Sequence, residues 1–312
     1  MKNKKKIKIV FFGTFEFGKI VLEKLIEKEL KPCLVITPPD KPVGRKRIIS
    51  PPPVKTLALQ YNIPVLQDEK IVNLLPEIKE KSPDLGIVAD FGKIIPKEIL
   101  EIPKYGILNL HPSLLPKYRG PSPIQSAIIE GEKKTGISII LMDEKIDHGP
   151  ILAKKEVNLP KNIDFQNLRE ILAKTGAETL IKVIPQWING KIKPKKQNHS
   201  KATFTKIIKR EDGKINWTES AEKIERKLRA LSPWPGVFTF WNGKRLKILK
   251  AQSAKAPIKK KKPGTVFLFK DKVGVFCKKG VLILKEVQLE GKKPTDIMSF
   301  IRGYRNFVGS EL

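Results

Sequence analysis

Short apolar runs recur along the first two thirds of the chain, each followed by a turn and then by a stretch with helical spacing. Residues 7–12 are almost wholly apolar and end at Gly13, which predicts a strand buried on both faces. Residues 17–27 place Val21, Leu22, Leu25 and Ile26 along one side of a helix. The alternation continues with a strand over 33–36, a helix over 55–61, an extended piece over 64–66 and a helix over 71–81. Strands follow over 85–89, 107–110 and 137–142, then a long amphipathic helix over 165–188. Repeated strand–helix units of this size predict an α/β, Rossmann-like unit: a mostly parallel sheet with flanking helices on both faces. Such sheets take their ligands at the carboxyl ends of the strands.

The period changes after residue 205. Residues 190–205 are polar and basic and read as a linker. A helix over 220–230 turns Ala221, Ile224 and Leu228 inward, and short strands follow over 237–241, 246–249, 265–269, 273–277 and 281–284. Asn242-Gly243 and Lys279-Gly280 mark tight turns between them. This pattern predicts a small OB-like β-barrel domain. The expected division is therefore 1–189, a linker over 190–205, and 206–312.

Charge sharpens the picture. The 312 residues carry 62 Lys+Arg against 32 Asp+Glu, a net charge of +30. Residues 1–205 hold a net +14, and the much shorter 206–312 a net +16, including the run Lys259, Lys260, Lys261 and Lys262. Either these are solvated lysine-rich surfaces or the second domain presents a face to a polyanion. Nucleic acid ranks ahead of lipid, because no long basic amphipathic helix stands out. Two cysteines and three histidines exclude a disulfide framework, a thiolate metal site and a His-rich site. No apolar run reaches 18 residues, and the basic start leads into a strand rather than a signal peptide, so a reducing cytoplasmic setting without membrane is expected.

Candidate chemistry lies in the first domain. Gly13 and Gly18 frame the first turn, but the spacing lacks the middle glycine of a dinucleotide fingerprint, and Glu16 would repel a phosphate. Turn formation and close packing explain these glycines better. Residues 38–53 form a proline-framed, extended basic loop tipped by Lys41, Arg45, Lys46 and Arg47, with apolar Ile48 and Ile49 behind them. The sharpest cluster runs from Asn109 through His111, Ser113, Leu114, Leu115 and Pro116 to Arg119 and Gly120. Asn109 and His111 are two apart at a strand's carboxyl end and so share a face. An amide donor beside an imidazole can hold one carbonyl oxygen as it becomes an oxyanion. Arg119 could bind phosphate or clamp the structure. A third segment holds Asp143, Lys145, Asp147, His148 and Gly149, where a carboxylate could take the proton of an attacking amine. Asp143 directly follows the strand and suits a turn cap, and the acids of this segment could equally be no more than a polar turn. No serine elbow accompanies these residues, neither cysteine lies near them, and a metal site has weak support.

These motifs resemble the methionyl-tRNA formyltransferase family. The resemblance is carried by the segment from Asn109 to Gly120, by Met142-Asp143 with Asp147 and Gly149, and by Pro39-Asp40-Lys41-Pro42 with Gly44-Arg45. Further on it rests on Arg229-Ala230-Leu231, Pro233-Trp234-Pro235-Gly236, Gly291-Lys292-Lys293 and Phe300-Ile301-Arg302-Gly303. It implies transfer of a formyl group from 10-formyltetrahydrofolate to the α-amine of methionine on initiator tRNA, without a metal, by a protein expected to act as a monomer. Asn109, His111 and Asp147 match the family's catalytic positions. Val88, Ala89, Asp90, Phe91, Gly92, Ile94 and Pro96, with Ser113, Leu114, Leu115 and Pro116, match the folate-binding segments. Lys41, Arg45, Lys46 and Arg47 match the loop that meets the tRNA acceptor end. The chain departs from the pattern at Phe15 (commonly proline), Asp90-Phe91 (Ala-Tyr), Lys145 (glycine) and His148 (threonine).

Overall fold

The structure, a computed structural model, describes residues 7–44, 47–256 and 261–312. The chain folds as two compact units. The first takes in the described residues of Met1–Pro123, with Lys134–Leu159 and Gln166–Lys206. The second is built from Ile124–Lys133, Pro160–Phe165 and Ile207–Leu312, so two short pieces from within the expected 1–189 domain belong to it.

The first unit opens with β1 (Ile9–Gly13), α1 (Glu16–Glu27), β2 (Leu34–Ile36), β3 (Lys41–Val43) and β4 (Ile48–Ser50). Next come α2 (Pro53–Gln60), β5 (Val65–Leu66), α3 (Leu75–Lys81), β6 (Leu85–Ala89), α4 (Lys97–Leu100) and β7 (Ile107–His111). After α5 (Pro123–Glu130), which belongs to the second unit from Ile124 onward, the chain makes β8 (Lys134–Leu141), β9 (Ile151–Asn158) and α6 (Phe165–Ile188). Seven strands form one sheet in the order β5-β2-β1-β6-β7-β8-β9. The first five are parallel; β8 runs against β7, and β9 against β8. From β1 the chain winds outward to β2 and β5, then crosses back to β6 and β7. The carboxyl ends of β1 and β6 therefore flank the topological switch point where such sheets bind ligands.

Hydrophobic burial fixes this centre. Every residue of β1 and β6 is buried. Wholly apolar strands need cover on both faces, and each fully buried Ile, Val or Phe of β1 contributes about 1.5–3 kcal/mol. At the edge, β9 exposes Lys154, Lys155 and Glu156, a charged border that discourages pairing with another chain. A Cβ at Gly18 would stand 2.5 Å from the Ala89 carbonyl oxygen, so α1 approaches the switch point only because residue 18 is glycine. That is the close-packing role its spacing predicts.

The sequence reading leaves out α4, α5 and β9, and three further segments differ from it. The helix expected over 71–81 is a 3-10 turn, Ile71–Leu74, followed by α3, because Pro76 lacks an N–H and restarts the helix. The basic loop over 38–53 is no simple extended excursion: β3 and β4 pair as an antiparallel hairpin, with Lys41 opposite Ser50 and Pro42 opposite Ile49. The β-branched pair Ile48-Ile49 favours that pairing. Residues 190–205 belong to the first unit. Ile151 and Lys195 exchange both backbone hydrogen bonds, at 2.8 and 2.9 Å, and Arg119 does the same with Thr203 and Thr205 at 2.8 and 2.7 Å.

In the second unit the Ser220 hydroxyl caps α7 (Ala221–Ala230) by accepting from the Lys223 N–H at 3.2 Å. The strands β10 (Val237–Trp241), β11 (Lys244–Ala254), β12 (Val266–Phe269), β13 (Lys272–Phe276), β14 (Val281–Leu289) and β15 (Thr295–Asp296) precede α8 (Ile297–Gly303). They form one antiparallel sheet in the order β10-β11-β14-β13-β12, with β15 on β14. This is the smaller β-rich domain that the pattern predicts. Asn242 and Gly243 both adopt positive φ, +47° and +72°, the geometry of a tight hairpin turn. The core centres on Trp241, which meets the rings of Phe300, Tyr304 and Phe307 edge-on at 5.3–5.9 Å. Cys277 lies in this core, where burial pushes its thiol up to about 12; burial also raises that of Cys33. Neither is poised as a nucleophile.

Candidate active site

β7 carries the first two groups. Its register sets Asn109 beside Val88 of β6 and Ile140 of β8, and His111 beside Ser138. Both side chains lie on the face that their spacing assigns them, with Asn109 half-buried and His111 buried. The His111 Nε2 lies 2.9 Å from the Tyr118 carbonyl oxygen. A carbonyl only accepts, so Nε2 carries a hydrogen and Nδ1 is the ring atom left for chemistry.

The third group comes from the loop after β8. Asp143 caps the turn, as expected, by accepting from the Lys145 N–H at 3.1 Å, and it also meets His148 Nδ1 at 2.6 Å. Lys145 is exposed. Asp147 swings back over the strand ends with a φ of +48°. Its Oδ1 accepts from Asn109 Nδ2 at 3.1 Å and stands 3.5 Å from His111 Nδ1. Its Oδ2 accepts from the Gly120 N–H at 2.7 Å. The amide, the imidazole and the carboxylate therefore converge on one spot at the ligand end of the sheet. The contact of His111 Nδ1 is longer than a hydrogen bond, which leaves that atom available to a substrate oxygen.

Of the two roles open to Arg119, the structure selects the clamp. The residue is 3% exposed, and its Nη2 lies 2.7 Å from Gln197 Oε1 and 2.8 Å from His199 Nδ1. Because a guanidinium only donates, His199 accepts there and is the neutral imidazole. Its ring stacks on that of His148 at 4.1 Å, 4° from parallel. Desolvation, then the nearby His148 and Arg119, hold its pKa below the ordinary 6.5. Gln197 and His199 escape the sequence reading because they lie in a lysine-rich stretch that looks like a linker. The available signal is two neutral hydrogen-bonding side chains, two apart, within a run of cations.

The segment after β6 lines the switch point. Val88 and Ala89 end the strand, buried, and the Phe91 carbonyl accepts from the Thr14 hydroxyl at 3.0 Å. Asp90 and Gly92 both adopt positive φ, +58° and +67°, which folds the chain back on itself. Ile94 is 74% exposed, and Pro96 directly precedes α4. Asp90 is reached by solvent on its open side and crowded by protein on the others; desolvation pushes its carboxyl up to about 6, against the pull of Arg169. On the other flank Ser113 and Leu115 are buried and Leu114 and Pro116 half-buried. The Ser138 hydroxyl holds this turn, donating to the Ser113 carbonyl at 2.7 Å and accepting from the Leu115 N–H at 3.0 Å. On the hairpin, Lys41 is exposed and lies 3.6 Å from Glu69, and Arg47 is exposed. Arg45 and Lys46 lie outside the described residues.

Residues 5–184 match the formyl transferase family, and residues 207–305 match the formyl transferase C-terminal domain. The methionyl-tRNA formyltransferase of Caldanaerobacter subterraneus is 42% identical over 301 residues, covering 96% of this chain and 97% of that protein. The chain belongs to the methionyl-tRNA formyltransferase family. The fold of this formyltransferase recurs in solved structures of low identity. An N-formyltransferase from Helicobacter canadensis, in complex with folinic acid and dTDP-3-aminofucose, superposes with a TM-score of 0.67 at 21% identity, covering 89% of this chain and 98% of that one. HypX from Aquifex aeolicus, in complex with tetrahydrofolic acid, gives 0.65 at 18% identity; 97% of this chain spans 48% of that larger protein. Among the described residues of the formyltransferase, no group of three or more His, Cys, Asp and Glu could hold a metal ion, and no helix is long and apolar enough to cross a membrane.

Proposed function

We propose that this enzyme transfers the formyl group of 10-formyltetrahydrofolate to the α-amine of methionine on initiator tRNA, in the bacterial cytoplasm. The observation that carries this reading is the convergence of Asn109 Nδ2, His111 Nδ1 and the Asp147 carboxylate within 3.5 Å. Family membership and the geometry support the same chemistry. The folate supplies a formyl carbonyl that an amine can attack. As the carbonyl carbon becomes tetrahedral, its oxygen gains negative charge. Asn109 offers an N–H to that oxygen, and His111, as the imidazolium, offers Nδ1–H. The attacking nitrogen becomes positive as it bonds and must lose a proton. Asp147, held by Gly120 and Asn109, serves as the base that takes it. The intermediate then collapses: the carbonyl re-forms, the bond from the formyl carbon to the folate N10 breaks, and that nitrogen leaves as the amine of tetrahydrofolate on accepting the proton that Asp147 returns.

The switch point has room for the pterin ring of the donor. A Cβ at Gly92 would meet nothing within 4 Å, so the turn opens on free space, and exposed Ile94 offers an apolar surface that a heterocycle would cover. Val88, Ala89, Asp90, Phe91, Gly92, Ile94 and Pro96 would hold it on one flank, and Ser113, Leu114, Leu115 and Pro116 on the other. The net +16 of residues 206–312 supports binding of the tRNA body, and Lys41, Arg45, Lys46 and Arg47 support contact with its acceptor end. The test is a choice of acceptor. Purified protein receives 10-formyltetrahydrofolate with either methionyl initiator tRNA or an amino-sugar nucleotide. Formyl on the methionine amine supports the proposal; formyl on the sugar amine alone refutes it.

A further inference from the structure

The turn that bears Asp147 is held from behind by an amide from a distant part of the chain. Gln197 is 6% exposed. Its Nε2 lies 2.8 Å from the Asp147 carbonyl oxygen and 2.8 Å from that of Gly149. Its Oε1 accepts from Arg119 Nη2 at 2.7 Å. Because Arg119 only donates, that contact fixes which end of the amide is oxygen. Both amide hydrogens then fall on main-chain carbonyls. Asp147 adopts its φ of +48° inside this same turn, a conformation that persists only where the surroundings enforce it. Arg119 is an immobile anchor: it is buried, its backbone is paired with Thr203 and Thr205, and its second Nη2 contact goes to His199.

We propose that Gln197 is a positioning residue for formyl transfer: it ties the 147–149 turn to Arg119 and thereby aims the Asp147 carboxylate at Asn109 and His111. The proposal rests on the reading of Asp147 as the proton acceptor. The carboxylate is gripped at its oxygens by Asn109 and Gly120, and the backbone that carries it is gripped at its carbonyl by Gln197. With the second grip released, the turn is free to relax toward ordinary φ, and the carboxylate moves with it.

The chemistry suggests an unusual substitution. Gln197→Glu keeps the shape and keeps an oxygen for Arg119, but it turns the second arm from a double donor into an acceptor facing two carbonyl oxygens. That arm is repelled while ionised. Once protonated, it recovers one donor. A displacement of about 1 Å at a reacting group costs on the order of 10²-fold in rate. We therefore expect single-turnover formylation of methionyl initiator tRNA by Gln197→Glu to be slowed by about 30- to 100-fold at pH 8. KM for both substrates should stay within about twofold, since neither touches this side chain. The rate relative to the parent should rise as pH falls. Gln197→Met, which fills the space without donors, should be slow at every pH, and a cooperative thermal melt of each variant, with a far-UV circular dichroism spectrum like the parent's, reports that it has folded. Parental rates in both variants, or a pH-independent ratio for Gln197→Glu, overturn the proposal. A parent enzyme that transfers no formyl group to the tRNA overturns the functional reading as well; a parent that does so, with variants at its own rate, overturns this proposal alone.

Discussion

Gly149 offers a test of how far catalysis depends on the seating of the Asp147 turn. A Cβ built on Gly149 stands 1.8 Å from the Leu141 carbonyl oxygen and 3.0 Å from its carbon. Both are backbone atoms of β8, a sheet strand that cannot move aside. In Gly149→Ala the loop must therefore retreat, by about 1 Å, before the methyl clears even a tight contact. Asp147 is two residues away and moves with it. A misplacement of that size costs on the order of 10²-fold in rate. Forcing a methyl into a packed site costs about 1–3 kcal/mol of stability, or roughly 2–4 °C in Tm per kcal/mol for a unit of this size. Gly190→Ala provides the control. Gly190 has a φ of +66°, and its new methyl would meet no atom within 4 Å. That substitution costs backbone strain of about 1–2 kcal/mol and leaves Asp147 in place. The assay is single-turnover formylation with saturating donor, beside thermal melts of both variants. The expected outcome is a comparable loss of Tm in the two, with a collapse of rate in Gly149→Ala alone. A parental rate in Gly149→Ala would refute the argument that loop placement limits the chemistry.

Three further outcomes are expected. The Asp90 carboxyl is raised from 3.8 to about 6, so the folded state disfavours its ionised form, and the stability it contributes is present at low pH and lost as pH rises through that window. Asp90→Asn, which keeps the shape and tolerates the φ of +58°, should raise Tm at pH 7.5 and do little at pH 4; equal shifts at both would rule out the charge as the cause. The lowered pKa of His199 has the opposite sense: protonation is disfavoured in the fold, so stability falls as pH drops through the ordinary value of 6.5, and His199→Phe should flatten that acid slope in melts taken from pH 8 to 5. Binding of initiator tRNA should weaken with salt by roughly 0.7–0.9 log units per phosphate contact per log unit of salt, and a flat response in filter binding would remove the polyanion-binding role.

How much of this the sequence reveals follows from the kind of signal each part carries. Wholly apolar runs such as residues 9–13 and 85–89 announce buried parallel strands, and they are where the sheet centre lies. Asn109 and His111 are legible because a period of two assigns them to one face. Asp147 is legible only through the family resemblance, since Asp143 and Asp147 are both carboxylates of one loop and spacing alone does not choose between them. Edge strand β9 is not, because its lysines and glutamate hide the alternation. The hairpin β3–β4 reads as a loop because Pro42 argues against a strand, although a two-stranded ribbon tolerates it. Gln197 and His199 stay hidden for a different reason. Their work depends on which distant carbonyls and guanidinium they meet, and local composition carries no trace of that.

The central claim is that Asn109, His111 and Asp147 together move a formyl group from folate to an aminoacyl amine. It is tested most directly by the single-turnover rate of formyl transfer from labelled 10-formyltetrahydrofolate to methionyl initiator tRNA, compared between the parent, Asp147→Asn and Asp143→Asn. The Asp147→Asn change keeps the shape and removes the base, and its rate should fall by on the order of 10²-fold or more. Asp143→Asn, which alters only a turn cap and a contact with His148, should stay within a few-fold of the parent. Transfer at the parental rate by Asp147→Asn, or an inactive Asp143→Asn, would contradict the account.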